Sequence, residues 1–472
     1  MASYFAIVFS NLERDSAAWS RAPPEPMAAV VAEYRRTAQS VAGQYGGRCE
    51  HFAGDGPLLL FDSADSAVHF GLKLIAIWRE RRQVLAAGAM PEMRLRLGCH
   101  FGDCAELPGG ARVGRAIGVA RRVADAAVPD TLTVTQTVIE LIDLSLYAYE
   151  EAGVHVLPGD RLPQRRLYRV RAVDWAALAA RPDAELTAED WFLRAVAMIG
   201  TAQENSDDEA ECYERALRLR PHYPQAHHNL AVLLRGRGEI EAAAAHYRTA
   251  LDLAPRYAEA HYNFAILLEQ ERDMAGAAEH YREAIRWNPD YTDAHHRYAN
   301  LLAARGEDRE ADEHYREALR LRPGAAEAHG NYASLLERKG DPAGAEAHYR
   351  EALRLRPDYP EAHYNYAMFL KARGEADAAE QHYRAALRAA PDYAEAHSNL
   401  AVLLLGKGDL AGAEEHYATA LRLRPQDPET NYNFALVAQA RGDRETADRH
   451  FRIANDLAPE AAELRTPPPA PE

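Results

Sequence analysis

Proline recurs at 221, 255, 289, 323, 357, 391, 425 and 459, at a constant interval of 34 residues. A fixed period of this length means one supersecondary unit copied in tandem, and no single-core globule carries it. Before most of these prolines runs a segment like His348 to Arg356, and after most runs one like Glu361 to Ala367. Apolar residues fall at i, i+3, i+4 and i+7 in both, which is the stripe of an amphipathic helix. Gly238, Gly306, Gly340, Gly374, Gly408 and Gly442 stand between the paired helices, with Arg272 in the second repeat. A glycine there lets the helix end in a left-handed turn. The expectation is an all-α solenoid of helix pairs.

This helix–turn–helix punctuation resembles the tetratricopeptide repeat. Position eight is always Ala (231, 265, 299, 333, 367, 401, 435), as is position twenty (243, 277, 311, 345, 379, 413, 447). Small residues at both let the two helices approach closely. Position twenty-four is Tyr in six repeats and Phe451 in the seventh. Seven repeats are expected over 224–459, preceded at 186–223 by a degenerate capping repeat that keeps Tyr213, Ala216 and Pro221.

The resemblance implies a superhelix whose groove is lined by the first helix of each pair, at positions two, five, six and nine. Position six is Asn229, Asn263, Asn331, Asn365, Asn399 and Asn433, with Arg297 the exception. An amide both donates and accepts, so it can pair with the backbone of an extended peptide of any sequence. Position two is Gln225, Glu259, Asp293, Glu327, Glu361, Glu395 and Glu429, and position five includes Tyr262, Tyr364, Tyr432, His228 and His296. The expected partner is a protein with an extended, basic segment. The basic clamp of relatives that hold a C-terminal carboxylate is missing at these positions.

Two histidine sets share the period: His227, His261, His295, His329, His363 and His397, and His246, His280, His314, His348, His382, His416 and His450. Ligands one repeat apart cannot share an ion held at ~2 Å from each nitrogen, so copying of one ancestral unit is the simpler account.

Charge divides the chain. Residues 1–172 hold 20 Lys/Arg and 19 Asp/Glu, a net of +1, against −17 for the rest and −16 overall. The acidic balance argues against nucleic acid, whose phosphates call for Lys and Arg. No run reaches the ~18 apolar residues that suggest a membrane span. Met1 to Tyr4 has no basic leader, and Cys49, Cys99, Cys104 and Cys212 show no CxxC spacing. Reduced thiols in a cytoplasmic protein are expected. Arginine far outnumbers lysine, as in a bacterial genome of high GC content.

Residues 1–172 alternate β-rich and helical runs, and Gly54-Asp55-Gly56 lies between two short strands as a hairpin. No glycine fingerprint follows the first strand, so this is an α+β sandwich and not a dinucleotide fold. Five segments in order resemble the class III nucleotide cyclase homology domain, of ferredoxin-like fold: Val8 to Glu13, Phe52 to Gly56, Arg96 to Gly102, Val113 to Val123, and Gly153 to Val170. The resemblance implies two Mg or Mn ions held by two carboxylates, with ATP or GTP as substrate. It places the metal ligands at Asp55 and Asn11, base-reading residues at His51 and Ala111, the ribose-positioning amide at Gly118 and the transition-state arginine at Arg122. Only Asp55 and Arg122 keep the expected chemistry, so a catalytically inactive domain is expected, serving to dimerise the chain or sense nucleotide. Three readings follow: a signalling adaptor, a working purine nucleotide cyclase recruited by its repeats, or a nucleotide sensor without turnover. The join at 173–185 is too short for a free tether, and the proline-rich tail from 460 is expected to be disordered.

Overall fold

The computed structural model describes residues 3–14, 24–53, 56–87, 93–106, 112–113, 115–142, 147–157, 164–173, 181–199 and 201–459. The join around Trp175 to Leu178 and the tail from 460 lie outside them. Two compact units make up the chain: residues 1–301 with 321–323, and residues 302–320 with 324–472.

The first unit opens with a mixed sheet. Its strands are β1 (Ser3–Arg14), β2 (Arg48–Ala53), β3 (Gly56–Phe61), β4 (Met93–Glu106), β5 (Arg112–Val113), β6 (Thr131–Thr135), β7 (Tyr147–His155) and β8 (Arg165–Val173). The order is β2-β3-β1-β4-β6-β8-β7, with β5 pairing the end of β4. Strands β1 and β4 run antiparallel from Ser3↔Cys104 to Arg14↔Met93, while β4 and β6 are parallel. Helices α1 (Pro24–Gln44), α2 (Ala64–Ala87) and α3 (Arg115–Ala126) cover the sheet, and α4 (Gln136–Ile139) is a single turn.

Side chains alternate faces along a strand, and β1 buries both. Ala6, Val8 and Leu12 join the core with Tyr34 of α1 and Trp78 of α2, whose rings meet edge-on at 5.2 Å. Phe5, Ile7 and Phe9 pack the other face with Ala116, Ala120 and Ala124 of α3. Gly98 of β4 admits that helix: a Cβ there would sit 2.1 Å from the Ala124 amide nitrogen.

The first core does not stop at the sheet. It continues through α5 (Ala188–Met198) and α6 (Asp207–Leu219), by way of Trp191, Phe192 and Tyr213, to Leu230 and Leu233 in the first full repeat. Thr187 and Asp190 start α5 with a reciprocal capping box, satisfying two orphan donors at once. The α+β region and the first repeats thus share one hydrophobic interior.

The repeats follow as helix pairs: α7 (Pro224–Gly236) and α8 (Ile240–Leu253), α9 (Ala258–Gln270) and α10 (Met274–Trp287), α11 (Thr292–Ala304) and α12 (Asp308–Leu321), α13 (Ala326–Arg338) and α14 (Pro342–Leu355). Then come α15 (Pro360–Ala372) and α16 (Ala376–Ala389), α17 (Ala394–Gly406) and α18 (Leu410–Leu423), α19 (Pro428–Ala440) and α20 (Arg444–Leu457). The fourteen Ala residues at positions eight and twenty are all buried. A larger side chain at such a site costs about 1–3 kcal/mol through overpacking. The six punctuating glycines have φ between 77° and 84°, and Arg272 adopts 62°.

Candidate functional site

The first helix of each pair carries the residues at positions two, five and six, and the structure gives them different neighbours in different repeats. In the first unit that row meets the α+β region. The Asn229 amide donates to the Gln44 carbonyl at 3.0 Å, and the Tyr257 hydroxyl to the Gly43 carbonyl at 3.3 Å. Gln225 donates to Asp62 at 3.1 Å. The C-terminal end of α1 and the following turn therefore lie on helices α7 and α9. The approach is close: a Cβ on Gly43 would stand 3.2 Å from Glu259 Cγ, and one on Gly46 2.0 Å from Gln225 Cγ.

Burial under α1 changes the chemistry of this row. Glu259 is 7% exposed, and burial pushes its carboxyl up to about 7, against a smaller opposing pull from its own backbone amide and Arg48. His228 is buried between Tyr257, at 3.2 Å, and Asn263, whose amide lies 3.0 Å from Nε2. Burial drives its pKa down to about 4.

Position six also bonds along the row. Asn263 reaches His228, and Asn399 donates to the Tyr364 hydroxyl at 2.8 Å, each contacting position five of the preceding repeat. Arg297 does the same toward Tyr262 and pairs with Glu269 at 3.4 Å. Asn365 and Asn433 are half-buried and make no side-chain hydrogen bond among the described residues, whereas Asn331 has interactions of its own.

The acidic residues at position two divide likewise. Asp293 pairs with Arg322 at 2.8 Å, Glu327 with Arg356 at 3.2 Å and Glu395 with Arg424 at 2.5 Å. Each arginine directly follows the last residue of its own repeat's second helix. Where that position is Ala390 or Ala458, the acids Glu361 and Glu429 stay exposed, with no ion pair among the described residues.

The two histidine sets, which the sequence presents separately, meet in pairs inside single repeats. Nδ1 to Nδ1 distances are 2.8 Å for His227–His246, His261–His280 and His329–His348, and 2.9 Å for His363–His382 and His397–His416. The seventh repeat shows which way the proton points. Its first partner is Asn431, whose amide donates to the Pro425 carbonyl and whose oxygen accepts from His450 Nδ1 at 2.8 Å. His227, His261, His363 and His397 likewise set Nε2 against the preceding proline carbonyl, so their Nδ1 accepts. The constant offset of nineteen residues between the sets was the available signal.

Among the cyclase-like positions, Asp55 and Ala111 lie outside the described residues. Asn11 stands in β1 opposite Arg96, and His51 in β2 opposite Leu58; nothing is described of either side chain. Gly118 and Arg122 share one turn of α3, and a Cβ at Gly118 would sit 3.2 Å from Arg122 Nη1, so the guanidinium lies back over the glycine. The four cysteines are free thiols. No described helix is long and apolar enough to cross a membrane.

Models of the tetratricopeptide repeat match residues 202–255, 228–292 and 299–360, and a second set matches 336–403 and 370–439. The helical region is built of tetratricopeptide repeats. No curated protein matches the chain in sequence. Among solved structures, pilF of Pseudomonas aeruginosa is similar at 24% identity, covering 44% of this chain and 94% of its own, with a TM-score of 0.40. The adenylyl cyclase CyaB of P. aeruginosa is similar at 17% identity, over 36% of this chain and 95% of its own, with a TM-score of 0.34. The guanylyl cyclase Cya2 is similar at 19% identity, over 37% and 94%, with a TM-score of 0.33.

Proposed function

We propose that this chain is a protein-binding scaffold whose later tetratricopeptide repeats hold an extended, basic segment of a partner. The observation that carries the reading is the free state of Glu361, Asn365, Glu429 and Asn433 on the first helices of repeats five and seven. Exposed carboxylates without an internal cation attract Lys and Arg, and a free amide can bond a peptide backbone on both its donor and acceptor sides.

The α+β region acts, in this proposal, as a non-catalytic cyclase-like head. The succession β1-α1-β2-β3-α2-β4 with order β2-β3-β1-β4 supports a ferredoxin-like core. The donors do not fit a pair of Mg or Mn ions with ATP or GTP. Asn11 supplies a neutral amide where the second carboxylate belongs, Asp55 leaves a single charge, and Arg122 rests on Gly118. No catalytic step is drawn through those ions.

Two measurements test this. Fluorescence anisotropy with the full chain and unstructured Lys/Arg-rich peptides should show saturable binding, absent with Asp/Glu-rich peptides. Combining Glu361→Ala, Asn365→Ala and Asn433→Ala should weaken it about tenfold or more; an unchanged affinity would overturn the groove assignment. Incubation with ATP or GTP and Mn²⁺ should yield no cyclic product. Product that disappears in Asp55→Ala would show that the head is an enzyme after all.

A further inference from the structure

Helices α15, α17 and α19 all belong to the second unit. On each, positions two, six and nine are exposed or half-buried, and the residues between them are mostly buried. Position nine is apolar in all three. Met368 is 40% exposed, and Val402 and Leu436 are half-buried. Repeats three and four place Asn300 and Ser334 there, and Ser334 already bonds the Tyr349 hydroxyl at 3.0 Å. The apolar row of the later repeats therefore begins at repeat five.

The chain itself shows what rests on such a face. In repeat one Asn229 donates to the Gln44 carbonyl at 3.0 Å, and Gly46 sits against Gln225 at position two. A stretch of main chain thus lies on the asparagine of position six, with position two beside it. In the later repeats that asparagine stands between two unlike rows. It is four helical residues from the acid and three from the apolar side chain, about 6 Å and about 4.5 Å along the axis. A strand laid across the three helices on the asparagines has acids along one edge and apolar side chains along the other. Successive side chains of an extended chain point to opposite sides, so alternate residues read the two edges. Packed helices stand about 8–10 Å apart, roughly three residues of strand at about 3.3 Å each. Glu361 and Glu429, two repeats apart, are then reached by residues about six apart, an even number that keeps both on the acid edge. The residue midway falls on the other edge, opposite Val402. Repeat six suits this, because Glu395 is paired with Arg424 and needs no further cation.

We propose that repeats five to seven select an amphipathic extended segment, with basic residues at i and i+6 and apolar residues at i+1, i+3 and i+5. This rests on the reading of the later repeats as a site for a basic segment, and adds what the opposite edge requires. Charge alone admits any basic chain. A polar side chain facing Met368, Val402 and Leu436 loses hydration against aliphatic surface and gains no partner.

Fluorescence anisotropy with the full chain and three labelled peptides tests it. Their central residues are Lys-Leu-Ser-Leu-Ser-Leu-Lys, the same with every Leu replaced by Ser, and the same with the last two residues exchanged. The exchange keeps the composition but moves the second Lys to the apolar edge. Expected is about tenfold tighter binding of the first peptide than of either other. Met368→Gln, at an exposed site, should weaken the first peptide several-fold and leave the Lys/Ser peptide unchanged. Val402→Gln should do the same, with Tm reporting that each variant is folded. Equal binding of the Lys/Ser peptide, equal binding of the exchanged peptide, or affinity untouched by both variants would overturn the alternation and leave the basic-segment reading standing. Binding of none of the three would overturn both.

Discussion

Repeats one and two and repeats five and seven descend from the same sequence unit, yet their first helices have opposite fates. In the early pair, Gln225, Asn229 and Glu259 are met by the chain's own α1 and the turn after it. In the later ones, Glu361 and Glu429 remain exposed and Asn365 and Asn433 unbonded. Identical residue types at identical register positions therefore do not define a binding surface. What defines it is whether another part of the same chain has already covered them, and whether an arginine at the end of the repeat has claimed the acid.

The comparison can be broken most forcefully from the head. Trp78 is 1% exposed and packs on Tyr34, so Trp78→Ala should cost about 3–5 kcal/mol. Because the core is continuous, hydrogen exchange should show lost protection in both the sheet and helices α5, α6 and α7, with 342–457 unaffected. Loss confined to the sheet would mean the shared core does not couple them. A gentler break is the double change Asn229→Ala and Tyr257→Phe, which removes two bonds to α1. It should cost about 1–3 kcal/mol and raise exchange at the end of α1 without unfolding the sheet.

Acid sharpens the contrast. Burial, and next the neighbouring imidazole, lower the pKa of His280 and His382 to about 4, and His246, His348 and His416 move the same way. The unfolded chain then binds protons that the folded one refuses, so stability is lost as pH falls from about 6.5 toward 4 in both units. Glu259 runs the other way. Its folded pKa of about 7 lies above the unfolded value, so its contribution is full in acid and is lost as pH rises through 7. Glu259→Gln should steepen the acid loss of the first unit and leave the pH profile of 342–457 unchanged, as read by exchange at pH 5, 6 and 7.

The smallest effect is at Arg272, which holds φ of 62° where the other repeats place glycine. Arg272→Gly should relieve backbone strain partly offset by glycine's entropy, raising stability by about 0.5–1 kcal/mol in denaturant titration. A loss would mean the arginine side chain contributes more than its backbone costs.

The repeats were legible because copying fixes both period and register, and each amphipathic stripe is restated seven times. The sheet strands showed in the alternation of runs such as Tyr4 to Phe9, although β1 extends to Arg14 and β4 to Glu106. The closeness of α1 to Glu259 was not legible, since Arg36, Gln39 and Gly43 carry no periodic mark and lie some two hundred residues away in sequence. The first helix of the capping repeat looked degraded because Trp191 and Phe192 face the head's core instead of a preceding repeat. The histidine pairs were visible as two columns, and only antiparallel packing of the two helices turns an offset of nineteen into a contact.

The continuous interior running from Tyr34 and Trp78 through Phe192 and Tyr213 to Leu233 bears on how such a chain can be inherited. A recombination event at residue 185 would leave two raw apolar faces, each lacking its complement. A viable exchange has to fall after the first two repeats, so that a new head arrives with the helices it is seated on. The unit that evolution can shuffle here is larger than the segment whose strands and helices look like a domain.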